Sequence, residues 1–297
     1  MRTRIFIAAS LLSQTMWAQT FTETITKELV FEKPSPANAL IVSNINGGIK
    51  VEGYSGDKIL LEVKKTINAK TDERLDRGKA ELQLGVMDRA DTVIFYISDG
   101  CNQFIRSKRN GRNSGSPHQG GWGYQSINSH GCNLVYDYTM DFTLKVPASV
   151  NLSVNTINEG DVIVNNVNGI VKASNINGNI RLTRLKGEAE AHTINGDVDI
   201  EYVSIPEEPC RFYTLNGDIN AFFPPALSAN LTFESFNGSF YTNMDDLESL
   251  PQKVIKSNRG EGLQYKITGN QFKVGNGGPL LAFETFNGNV YLKKSTK

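Results

Sequence analysis

Glycine recurs every nine residues through the middle of this chain, at Gly160, Gly169, Gly178, Gly187 and Gly196. Counted from each glycine, apolar residues return at the second, fourth and seventh positions. The first three copies read Val162, Val164 and Val167, then Val171, Ala173 and Ile176, then Ile180, Leu182 and Leu185. Ala189, Ala191 and Ile194 follow, then Val198, Ile200 and Val203, and an earlier copy runs from Gly47 through Ile49, Val51 and Tyr54. Second and fourth positions share one face of a strand. The step to the seventh breaks that alternation, so the chain bends before each new glycine. Asparagine precedes the glycine in Asn46-Gly47, Asn168-Gly169, Asn177-Gly178, Asn195-Gly196, Asn216-Gly217, Asn237-Gly238 and Asn287-Gly288. Such a pair supplies the positive φ that a tight corner asks for.

Two architectures compete for this pattern. Asn-Gly is also the strongest short hairpin signal, which favours an antiparallel meander. A meander wants unbroken alternation between turns, and this repeat interrupts it every time. The glycines at 160, 178, 196, 217 and 238 are separated by 18, 18, 21 and 21 residues. A two-sided coil with small insertions in its later laps gives that series. The expectation is an all-β chain: a parallel β-solenoid, resembling a β-helix or β-roll, with coils of 18 residues and a less regular β region before it. In such a coil position i stacks on i+18, which sets Lys172 beside Glu190 and Arg181 beside Asp199. Both pairs have opposite sign, the favourable cross-strand arrangement. They serve as a register test.

The start of the chain reads as a secretory leader over residues 1–18, with Arg2 and Arg4, an apolar run from Ile5 to Leu12, and Ala18 at its end. That run is far shorter than the roughly 20 residues of a membrane span. An exported protein follows, periplasmic, cell-surface or secreted. Removing the leader leaves 29 basic residues against 31 acids, which gives no reason to expect nucleic acid as a partner. Residues 19–98 form an N-terminal β region, with strands over 24–31 and 40–63, a helical turn at 72–78, and a strand pair around 88–91. Residues 99–133 read as a basic loop rich in Gly, Ser and Asn, and 134–297 as the solenoid. Export makes a disulfide between Cys101 and Cys132 plausible and leaves Cys210 odd. The periodicity lapses between Tyr241 and Pro279. It returns in a last coil whose open edge Lys293, Lys294 and Lys297 would guard.

The run Phe142-Thr143-Leu144-Lys145-Val146-Pro147, the Asn-Gly repeats and the terminal Asn287-Gly288-Asn289-Val290-Tyr291-Leu292 resemble the bacterial putative-adhesin family of β-strand repeats, a domain family of unknown function. The resemblance covers residues 38–292, apart from 99–133. It implies export and a solenoid. It brings no catalytic residues to transfer.

Candidate sites are few. The Asn-Gly pairs are read as structural turns. Asp161, Asn179, Asp197 and Asp218 would form one column, and each is expected to bond its own turn rather than to hold calcium, which wants six to eight oxygens. The segment between the cysteines carries Arg106, Lys108, Arg109 and Arg112 with no acid, and sets Trp122 and Tyr124 on flexible Gly-rich backbone. Cations beside exposed aromatics suit an anionic polymer; a solubilised insertion without function fits the same composition. His118 and His130 match no zinc spacing, and His192 reads as solvated. Gly111-Arg112-Asn113-Ser114-Gly115 is no nucleophile elbow, and no phosphate loop occurs, so neither metal nor cofactor is expected.

The functional expectation is a non-catalytic, adhesin-like scaffold that binds an envelope polysaccharide or a protein. One alternative is a polysaccharide-cleaving enzyme using carboxylates among Glu188, Glu190, Asp197, Asp199 and Glu201, which otherwise read as a solvated face. Another is an envelope regulatory protein acting through a protein partner.

Overall fold

The computed structural model describes residues 19–106, 122–127, 132–251, 254–259, 262–267 and 270–295. The leader, Lys108, Arg109, Arg112, His118, His130 and Lys297 lie outside them. The described chain is all-β apart from the helix Asp72–Glu81, and most strands fall into a ten-stranded and an eleven-stranded sheet. Both sheets are mixed: parallel through the middle, with antiparallel strands at one end of the first sheet and at both ends of the second.

From Asn151 to Thr242 the chain alternates between sheets, as it does once earlier after Ala39. Ala39–Ser43 joins the second sheet and Ile49–Tyr54 the first; Asn151–Asn155, Val171–Ser174 and Ala189–Asn195 return to the second, and Val162–Asn165, Ile180–Leu185 and Val198–Tyr202 to the first. Neighbouring rungs are in parallel register at 18 residues, Val162 opposite Ile180, Ile180 opposite Val198 and Val171 opposite Ala189. The next rung is offset by 21, with Val198 opposite Ile219. Arg181 pairs with Asp199 at 3.1 Å and Lys172 with Glu190 at 3.2 Å, in the register read from the repeat. The alternate residues Val162, Val164, Ile180, Leu182, Val198 and Ile200 point between the sheets and are buried. They fill a common core with Leu40, Phe142, Leu152 and Phe212.

The seventh repeat position behaves differently at the two corners of a lap. Val167 and Leu185 are buried, next to left-handed Asn166 and Arg184 (φ 58° and 57°), which turn the chain inward. At the other corner Thr193 or Asn175 already fills the inner place, so the following Ile176 turns outward and is 38% exposed. Val203, expected inside, is also exposed, because Tyr202 occupies that corner and stacks on Phe223.

Other expectations need revision. The stretch 40–63 is three strands, Ala39–Ser43, Ile49–Tyr54 and Lys58–Ala69, and the helical turn extends to Glu81 behind its Thr71 cap. The last coil is not at an edge. Leu280–Asn287 lies between Cys210–Asn216 and Ala229–Asn237, and Val290–Lys294 between Ile219–Phe223 and Phe240–Thr242. Lys294 pairs with Asp245 rather than guarding an open strand. The stretch where the repeat lapses supplies Leu247–Leu250 and Asn270–Val274, antiparallel strands that finish the second sheet.

Candidate functional site

The Asn-Gly corner carries a continuous ladder of side-chain amides. Asn158 donates its amide to Asn46 Oδ1, Asn177 to Asn158, Asn195 to Asn177, Asn216 to Asn195, Asn287 to Asn216 and Asn237 to Asn287, at 2.8–3.2 Å. Asn168 has no place in this column; it sits at the opposite corner, and Asn158, two residues before Gly160, takes the position instead. Beside the amides, Asp161, Asn179, Asp197 and Asp218 each accept the backbone N–H of the next lap at 2.7–2.9 Å. They bond the neighbouring turn, not their own as the sequence led us to expect. On the inside, Thr156, Thr193, Thr214 and Thr285 donate to the glycine carbonyls of Gly47, Gly178, Gly196 and Gly217.

Close approach is what demands glycine here. A Cβ on Gly178, Gly196 or Gly217 would stand 2.1–2.3 Å from the carbonyl oxygen of the glycine one lap away. The φ values there, 154° to 157°, lie at the margin of the region that favours glycine, while Gly47 at 117° is well inside it. The amides of this corner bond one another, and its carboxylates and hydroxyls bond backbone groups of the corner.

The described residues of the segment 99–133 include two strands. Asn102–Arg106 and Trp122–Ser126 pair antiparallel, with Arg106 opposite Trp122, and the Cys101–Cys132 disulfide ties the base of this hairpin. The hairpin lies on the outer face of the second sheet, where Phe104 buries against Ile41 and Ile94. Tyr124 is therefore no free aromatic. Its hydroxyl donates to the Ser43 carbonyl at 2.7 Å and accepts from the Ile97 N–H at 2.8 Å, and burial pushes its pKa well up. Trp122 is half-buried in a stack with Phe104 and Tyr96, with the Arg89 guanidinium 5.3 Å from its ring centre. It holds Arg89 in place rather than offering an open ring on a flexible chain. Between hairpin and sheet is a depression of about 350 Å³ lined by Arg89, Asp91, Arg106, Trp122, Ile41 and Asn151.

No family model matches the sequence, and no curated protein matches it. Solved bacterial structures resemble it at low identity. A putative cell adhesion protein from Clostridium sporogenes is 12% identical with a TM-score of 0.39, over 92% of this chain and 100% of that one. A putative adhesin from Bacteroides fragilis is 12% identical with a TM-score of 0.37, over 92% and 97% of the two chains. A putative lipid binding protein from Parabacteroides distasonis is 10% identical with a TM-score of 0.28, also over 92% and 97%.

Of the acids considered for catalysis, Glu190, Asp197 and Asp199 are each held by other partners. Glu190 belongs to the second sheet, where it pairs with Lys172. Asp199 belongs to the first, where it is held by Arg181 and by the Asn220 amide. Asp197 is spent on the Asp218 N–H. Cys210 is buried with its thiol 3.1 Å from the Tyr202 hydroxyl, and burial raises its pKa, which makes it a poor nucleophile. Among the described residues no group of three or more His, Cys, Asp and Glu is placed to hold a metal ion, and no helix is long and apolar enough to cross a membrane.

His192 is exposed but not simply solvated. Its ring stacks on Tyr213 at 4.6 Å, and burial, then the Arg211 guanidinium, hold its pKa below the usual range. Sequence reading found Arg106 and Trp122 but missed Arg89, Asp91 and Asn151, which reach the same depression from distant segments. Nothing in their local sequence marks them.

Proposed function

We propose that this chain is an exported, non-catalytic recognition protein of the cell envelope. In this reading residues 39–294 form a parallel β-solenoid finished by antiparallel strands, residues 1–18 are a removed leader, and the hairpin within 99–133 is an added recognition element. The ligand is an anionic polymer. The observation that carries the proposal is the disulfide-tied hairpin seated on the outer face of the second sheet, which brings Arg89 and Arg106 to one depression beside Trp122. Guanidinium forks match carboxylate and phosphate oxygens in pairs. Glu190 and Asp199 stand on different sheets, and these two and Asp197 are already bonded, which speaks for binding rather than turnover.

The test is retention of the mature protein on immobilised acidic and neutral polysaccharides across a salt series. Binding to the acidic matrix is expected, weakened at high salt and by Arg89→Ala with Arg106→Ala. Equal retention on neutral matrices, or an unaffected double variant, overturns the reading.

A further inference from the structure

Resting on that reading, we propose that the ligand is a linear acidic polysaccharide laid across the strands, along the stacking direction, and held by a second contact region next along the same face. The hairpin depression spans the rungs Thr92–Ser98, Ala39–Ser43 and Asn151–Asn155. The next three rungs of that sheet, Val171–Ser174, Ala189–Asn195 and Cys210–Asn216, carry a second depression of about 280 Å³ lined by Lys172, Ser174, Glu190, His192, Arg211 and Tyr213. The registers place Ile94, Ile41, Ser153, Lys172, Glu190 and Arg211 in one straight column. Ile94, Ile41 and Ser153 are buried, and Lys172, Glu190 and Arg211 reach the surface, so on the first three rungs the ligand follows the depression beside the hairpin rather than the column itself. With rungs about 4.8 Å apart, the two regions together extend for about 24 Å.

The chemistry of the two depressions selects the ligand. Arg89, Arg106, Lys172 and Arg211 line the two depressions together with Asp91 and Glu190, and Glu284 pairs with Arg211 beside the second. Four cations against three acids leave a small local cation excess on a chain with 31 basic and 31 acidic residues. Lys172 and Arg211 are two rungs apart in the column, about 10 Å. An extended glycan with a two-fold repeat presents its carboxylates on one side at every second sugar, a comparable interval. Lys172 and Arg211 are now paired with Glu190 and Glu284 at 3.2 and 2.9 Å. Such exposed pairs are weak and exchange readily for a ligand carboxylate. His192 and Tyr213 add polar ring edges for hydroxyls.

Trp122 is the only tryptophan after residue 18, so its emission reports the hairpin depression. We would titrate the mature protein with oligomannuronates and with neutral β-1,4-mannooligosaccharides of matched length. Affinity for the acidic series is expected to rise with length and level off near about six units, one per rung. Lys172→Gln with Arg211→Gln, and separately His192→Ala with Tyr213→Ala, should weaken long chains at least about tenfold, or about 1.4 kcal/mol, and leave short chains unchanged. If long chains bind both variants as they bind the native protein, this inference fails and the hairpin site stands. If no acidic chain of any length alters Trp122 emission or binds by calorimetry, the functional reading falls with it. Single-stranded oligothymidylate that binds as tightly as the acidic glycan would reduce the site to charge alone and overturn the choice of ligand.

Discussion

Replacing Gly196 by alanine should damage this protein more than removing the asparagine beside it. The added Cβ would lie 2.3 Å from the Gly178 oxygen and 2.6 Å from its carbonyl carbon. Relief requires the two laps to part by about 1 Å at the corner, since ordinary contact begins near 3.4 Å. The bonds that cross this junction stretch together: Gly178 N–H to the Asn195 carbonyl, Asn195 N–H to the Ile176 carbonyl, the Thr193 hydroxyl to the Gly178 carbonyl, and Asp197 N–H to Asn179 Oδ1, all at 2.8–2.9 Å. At about 1 kcal/mol for each bond lost, plus overpacking, the cost is about 5–7 kcal/mol. Asn195→Ala removes the amide bonds to Asn177 and from Asn216, but these are exposed and water replaces them, so about 1 kcal/mol is expected. Asn168→Ala, at the corner without the column, should cost less than about 0.5 kcal/mol. Thermal melts read these at about 2–4 °C per kcal/mol. If Gly196→Ala melts with the native protein, or above Asn195→Ala, close packing of the laps is not what fixes the glycine.

Stability should fall above pH 10, because burial raises the pKa of Tyr124, Tyr136, Tyr138 and Tyr202 above the free value of 10.0. Their contribution is complete below that pH and is lost as pH rises, since the unfolded chain ionises first, at up to about 1.4 kcal/mol per pH unit for each tyrosine. Melting temperatures from pH 8 to 11.5 check this, and Tyr138→Phe should flatten the slope; a level profile refutes it. Deleting residues 280–297 removes buried Leu281, Phe283, Val290 and Leu292 from between two rungs. At about 1.5–3 kcal/mol each the loss rivals the whole stability of a domain, and proteolysis within 224–279 should become rapid. Unchanged resistance would mean that the inserted rung is dispensable. Cys101→Ser with Cys132→Ser opens a link across 31 residues, worth about 3–4 kcal/mol by chain entropy. Trp122 emission should shift to the red as the hairpin lifts from Ile41 and Ile94, and identical spectra would argue against that docking.

What a single lap needs is written locally, and the sequence by itself determined it. Inward aliphatic residues at two-residue spacing, glycines at the corners and opposite charges at an interval of 18 specify strand faces and register, because each depends on neighbours one rung away. Even there, spacing alone did not distinguish the two corners: Asn168-Gly169 matches the motif, yet Asn158 holds the place in the column. The tertiary structure decided the order of the late rungs, where Leu280–Asn287 enters beside a strand 71 residues earlier. It also decided where the hairpin docks, and so brought Arg89 to Trp122 and Asn151 to the same depression. Those pairings follow from burying apolar surface between segments far apart in the chain, and a nine-residue period carries no record of which segments meet.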